Sequence, residues 1–135
     1  MTVNKDLLPK DRRLLPSEGQ EQAALMGWAA LEMKRGRMPE LALLFHIPNG
    51  GARNKAEAGR FKAEGVKAGV PDLFLPVPRG EHHGLFIEMK RRDGGRLSKE
   101  QKEWIAALQA QGYQVEVCAG WNEAAEVLTE YLGGA

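Results

Sequence analysis

Apolar positions along this chain switch between strand and helix spacing several times. Leu73-Phe74-Leu75 and Leu85-Phe86-Ile87 are short apolar runs, and Pro78-Arg79-Gly80-Glu81-His82-His83 between them is rich in turn formers. Runs of that length bounded by turn residues read as strands, here joined as an antiparallel hairpin centred on Gly80. Both are apolar on both faces, as expected of central strands covered by helices. Leu43-Leu44-Phe45-His46-Ile47 reads as an earlier strand, broken sharply by Pro48-Asn49-Gly50-Gly51, and Val115-Glu116-Val117-Cys118 as a later one.

Helical spacing fills the intervals. Ser17 offers an N-cap with Gln20 placed for a capping box, and the helix it opens is expected to run to about Arg35, with Ala24, Leu25, Trp28 and Leu31 as its apolar stripe. Asn54 caps a short helix through Ala63-Glu64, closed by Gly65. Ser98 caps a helix carrying Trp104, Ile105 and Leu108 that stops at Gly112, and Asn122 opens a closing helix with Ala125, Leu128 and Leu132. The order helix, strand, helix, strand, strand, helix, strand, helix predicts an α/β fold, a mixed sheet flanked by helices. Residues 1–16 mix Lys, Asp, Arg and Pro without periodicity and are expected to be a flexible arm, leaving 17–135 as one domain.

Composition narrows the function classes. With 135 residues, 43% of them hydrophobic, the chain supports one domain with a sizeable core. A net charge of only +1 excludes a strongly basic, DNA-coating protein, so any nucleic-acid site must concentrate its positive charge locally. Cys118 is the single cysteine; it rules out a disulfide framework and a zinc–cysteine cluster and reads as a buried structural thiol suited to a reducing compartment. No apolar run approaches membrane-spanning length and the start of the chain lacks a signal-peptide stretch, so a soluble cytoplasmic protein with no membrane partner is expected.

The candidate chemistry lies on the hairpin. Centred on Gly80, it sets Asp72 opposite Glu88, and strand alternation puts Glu88 and Lys90 on one face with Ile87 and Met89 on the other. Two carboxylates and an ammonium among Phe74 and Phe86 are costly unless a cation compensates, and this is the residue set that holds Mg²⁺ against a phosphodiester. Mutual repulsion should pull the pKa values of the two carboxylates apart until metal binds. Arg91-Arg92-Asp93 reads as a solvated patch.

Other residues extend the site. Glu18 and Glu21 lie near the start of the first helix; on a helical wheel Glu21 falls near the middle of the apolar stripe and Glu18, beside Gln22, at its edge. A shared metal could engage either, and so could the helix dipole. Gln101 fits a capping box with Ser98 and lies on a helix that starts soon after the Glu88 strand. His46, Asn49, Gly50, Gly51 and Arg53 form a polar corner at a strand end that can bring backbone amides and a guanidinium to a phosphate. Lys55, Arg60, Lys62 and Lys67 continue a local positive bias that favours nucleic acid. His82-His83 at the hairpin tip reads as a loop feature, and Trp28, Trp104 and Trp121 as core or rim packing.

Ile47-Pro48-Asn49-Gly50-Gly51, Gly65-Val66-Lys67-Ala68-Gly69-Val70-Pro71-Asp72-Leu73, Phe86-Ile87-Glu88-Met89-Lys90 and Leu97-Ser98-Lys99-Glu100-Gln101, in this order, resemble the VRR-NUC (virus-type replication-repair nuclease) family. That family belongs to the PD-(D/E)xK, restriction-endonuclease-like superfamily, and the resemblance runs from about Ser17 to Leu132, as a standalone member of the phage and bacterial type. It implies a restriction-endonuclease-like sheet and a Mg²⁺-dependent DNA endonuclease in which Mn²⁺ substitutes. Asp72, Glu88 and the main-chain carbonyl of Met89 become metal ligands, and Lys90 the lysine that positions or activates water. The family's helical glutamate maps to Glu18, because Gln22 follows at the expected offset; the helical wheel prefers Glu21, and both stay candidates. Gln101 matches a position close to the site; the Asn49-Gly50-Gly51 corner and Arg53 match positions used against substrate. The resemblance further implies a homodimer acting on Holliday junctions or other branched DNA. A flap or branched-DNA repair nuclease, an RNA endonuclease and a catalytically silent DNA-binding module are the competing readings.

Overall fold

The computed structural model describes residues 4–48 and 54–133. Helix α1 (Glu18–Lys34) opens on the expected capping box, with the Ser17 hydroxyl accepting from Gln20 N and the Gln20 side chain accepting from Ser17 N. Strand β1 (Phe45–His46) is shorter than its sequence run, because Pro39 starts a 3-10 helix (Pro39–Leu43) that takes up Leu43. Helix α2 (Lys55–Ala63) is capped by Asn54; strands β2 (Leu73–Leu75) and β3 (Leu85–Lys90) follow. Helix α3 (Lys99–Ala110) has the Ser98–Gln101 capping box, strand β4 (Gln114–Ala119) comes next, and helix α4 (Trp121–Tyr131) closes the fold. This last helix begins one residue before Asn122, and its start is held by the Glu123 side chain, which accepts from Ala119 N.

The four strands form one mixed sheet in the order β1-β2-β3-β4, antiparallel except for the parallel pair β3-β4. Leu73 pairs with Ile87 and Phe74 with Phe86, the register the turn at Gly80 predicts. Leu73, Leu75, Leu85, Ile87 and Met89 are buried against Leu25 and Ala29 of α1 and Ala124, Ala125 and Leu128 of α4. Truncating one of these fully buried leucines to alanine removes about 2–5 kcal/mol. Cys118 lies in this core with 1% of its surface exposed; burial, reinforced by the charges of Glu123 and Glu116, pushes its thiol up to about 12, so it stays protonated and inert. The opposite face carries Phe74, Phe86, Glu88 and Lys90, with α3 on that side.

Three sequence expectations are corrected. The buried line of α1 is Glu21, Leu25, Ala29 and Glu32, while Leu31 is exposed and Trp28 half-buried. The helix can turn two glutamates inward because Arg92 pairs with Glu21, and Arg35 and Arg37 approach Glu32 to 3.5 and 4.0 Å. Arg91-Arg92-Asp93 is therefore an anchoring cluster, not a solvated patch. Residues 4–16, read as a flexible arm, form two short 3-10 helices docked on the domain: the Arg91 guanidinium donates to the carbonyls of Arg12, Leu15 and Pro16, Arg12 pairs with Asp93, and Leu15 is buried. A backbone run without periodicity still orders when an arginine satisfies its carbonyls. No described helix is long and apolar enough to cross a membrane.

Candidate active site

Asp72 lies one residue before β2, and the β2-β3 register carried back by that residue sets it across from Glu88. Its Oδ2 accepts from Met89 N at 2.7 Å, which pins the carboxylate to the strand opposite. Behind it, Pro71 is buried and Gly69 has φ +91°; a Cβ on Gly69 would lie 2.6 Å from the Glu100 carbonyl carbon. Only glycine lets this loop pass so close to the first turn of α3. The Asp72 strand and the Gln101 helix are thereby fixed to each other.

Glu88 and Lys90 are buried, exposing 2% and 5% of their surfaces. Gln101 joins them: its Nε2 donates to Glu88 Oε2 at 3.1 Å, while its Oε1 accepts from Lys90 Nζ at 3.1 Å and from Ser98 N at 2.8 Å. One amide thus completes the capping box expected from the sequence and also spans Glu88 and Lys90. Lys90 Nζ lies 3.9 Å from Glu88 Oε2. Glu88 Oε1 is buried with no hydrogen-bond partner. Burial above all, then the charge of the neighbouring Asp72 carboxylate, pushes the Glu88 carboxyl up to about 8; Lys90 opposes the rise and Glu18 adds to it.

The two helical candidates separate. Glu18 is exposed and its charge reaches Glu88. Glu21 is enclosed elsewhere: Arg92 Nε lies 2.7 Å from its Oε2, Arg92 Nη2 donates to Oε1 at 3.3 Å, and Trp121 N donates to Oε1 at 3.2 Å. His46 is exposed, with Nδ1 2.9 Å from the Asp72 carbonyl oxygen, so it abuts the site through backbone. Lys67 is exposed on the loop before Asp72. Asn49, Gly50, Gly51 and Arg53 lie outside the described residues. Sequence reasoning missed Arg91; its signal was a basic residue directly after the Lys90 strand, at the point where the chain leaves the sheet.

Among the described residues no group of three or more His, Cys, Asp and Glu side chains forms a ready cation cage. Asp72 and Glu88 are nevertheless a hard-oxygen pair with one buried, unpartnered oxygen, which is the feature a divalent cation satisfies.

The family described as "VRR-NUC domain" matches residues 7–122. A solved structure titled "VRR_NUC domain protein" superposes with a TM-score of 0.74 at 32% sequence identity, covering 90% of this chain and 92% of that one. Comparison with curated proteins finds no match.

Proposed function

This chain belongs to the VRR-NUC family, nucleases of restriction-endonuclease-like fold, and on that premise we propose a divalent-cation-dependent, structure-selective DNA endonuclease that cuts Holliday junctions or other branched DNA as a homodimer. The observation that carries the reading is the buried Glu88 Oε1, without a partner and beside Asp72. Asp72, Glu88 and the Met89 main-chain carbonyl would hold Mg²⁺, or Mn²⁺ in its place, with Glu18 reaching in from α1. A cation held there polarises a phosphoryl oxygen and eases loss of a proton from water.

The chain's own groups supply the rest. Glu88, which holds its proton in the cation-free site, releases it when the site is loaded, because a ligand must be ionised to coordinate. Asp72 is held by Met89 N through one carboxylate oxygen, and its other oxygen would serve as the ligand. Lys90, fixed by Gln101 in a buried position, can present its ammonium to the attacking water or to the charge developing on the phosphate. The exposed side chains of Lys55, Arg60, Lys62 and Lys67 would contribute backbone affinity. A two-fold dimer would offer paired sites to the symmetry-related strands of a junction.

The test is cleavage of end-labelled four-way, flap and linear DNA, and a matched RNA duplex, with Mg²⁺ or EDTA, beside Asp72→Ala. Junction cleavage by the parent protein, absent in EDTA and in the variant while binding persists, supports the proposal. Preference for flaps or RNA would move the substrate assignment. Junction binding without nicks under any condition would make the protein a binding module.

A further inference from the structure

Phe45 is the one exposed aromatic residue among the described large hydrophobic side chains, with 48% of its surface open. It pairs with Phe74 across β1-β2, and Phe74 pairs with Phe86 across β2-β3. Directly paired residues share a face, and faces alternate along a strand, so Phe45 is on the face that carries Asp72, Glu88 and Lys90. Asp72 is two residues from Phe74, so the ring lies about 7 Å along the sheet from the candidate cation site.

The ring is also held still. Phe45 meets Phe74 edge-on at 5.9 Å between centroids, Phe74 stacks on Phe86 at 4.2 Å, and Tyr113 packs edge-on against both. A rigid ring loses little entropy when something stacks on it. Both ends of the segment between β1 and β2 leave the sheet at the Asp72 end. From Asn54 to Lys67 it carries four exposed basic side chains (Lys55, Arg60, Lys62, Lys67) against two acidic ones. An apolar ring beside a cation site, flanked by a basic segment, matches a nucleotide, whose flat apolar base sits next to an anionic phosphate.

We propose that Phe45 is a substrate-contacting residue on which a nucleobase next to the scissile phosphate stacks once it is unpaired at a branch point. The proposal rests on the nuclease reading for its substrate and adds a reason for branch selectivity. Bases in a continuous duplex already stack on each other, whereas a branch point frees a base for the ring. Stacking of this kind tolerates any sequence.

The experiment is binding in EDTA of branched DNA carrying 2-aminopurine in turn at each position flanking the branch, followed by fluorescence. With the parent protein and Phe45→Trp, one position should be quenched on binding. Phe45→Ala should lose that quench and bind roughly tenfold more weakly. On DNA made abasic at the same position, Phe45→Ala and parent should bind alike. Phe45→Leu keeps apolar volume without a π-face and should also lose the quench, which holds the test open if the alanine variant unfolds.

Unchanged quenching in the leucine or alanine variant overturns the proposal, as does an equal loss of affinity on abasic DNA. A parent dimer that becomes monomeric on Phe45→Ala, with quenching intact, would mean that a second copy covers this ring and the neighbouring exposed Leu43. Absence of nicks by the parent protein under every metal condition would sink the nuclease reading instead, and the fluorescence result, read in EDTA, would stand apart from it.

Discussion

Arg92→Ala would strand a buried carboxylate and thereby show which of the two helical glutamates serves the fold. Glu21 exposes 1% of its surface and receives the Arg92 guanidinium at 2.7 and 3.3 Å, while Arg92 also donates to Asn122 Oδ1 at 3.0 Å. Removing one member of such a pair costs about 3–5 kcal/mol, because the remaining charge is left desolvated. The Trp121 N–H still serves Glu21 in the variant, so the lower end applies, about 3 kcal/mol. For a domain of this size that lowers Tm by roughly 12 °C. Glu21→Gln should lose a similar fraction, and replacing the pair together by Leu and Met should recover most of it. Thermal melts are read beside cleavage measured well below each variant's Tm, where the three variants should cut DNA at near-parental rates. Single variants that melt like the parent, or a folded Glu21→Gln that cannot cleave, would refute the assignment and return Glu21 to the metal site.

Further expectations follow from the same geometry. Gln101→Ala removes a cap and the bridge between Glu88 and Lys90, so it should cost about 1–2 kcal/mol and lower kcat at least tenfold; an unchanged kcat in a folded variant would show the bridge to be structural only. Native Glu88, pushed up to about 8, holds a proton that the unfolded chain releases near the ordinary value of 4.5. Stability of the metal-free protein should therefore fall as pH rises between those values. Urea unfolding in EDTA from pH 5 to 8.5 should show this slope, flatter in Glu88→Gln; a slope that persists unchanged in the variant would contradict the cause. Arg91→Ala should free residues 4–16 for proteolysis and weaken activity through α1, and resistance equal to the parent's would show that other contacts hold the segment.

Much of the site was legible because two local rules determine it. A turn at Gly80 fixes the hairpin register, and strand alternation then places Asp72, Glu88 and Lys90 together. The capping boxes at Ser17 and Ser98 are equally local, and both form. What was not legible depends on distant partners. A helical wheel correctly buries Glu21, but burial does not say what neutralises it, and the answer is Arg92, 71 residues away. The order of residues 4–16 likewise depends on Arg91, which reads locally as one more surface charge. The shortened β1 has a different origin: Pro39, whose fixed φ suits the first position of a helix, starts the 3-10 helix that takes up Leu43.

The central claim is that Asp72 and Glu88 form a divalent-cation site, and Mn²⁺ titration calorimetry tests it most directly. Run at pH 7 in two buffers of different ionisation enthalpy, it reads affinity and proton release together. Saturable binding with release of close to one proton is predicted, since Glu88 is largely protonated at that pH. Asp72→Ala should abolish the binding, and Glu88→Gln the proton release. Absence of binding at millimolar Mn²⁺, or binding unchanged in both variants, would contradict the account.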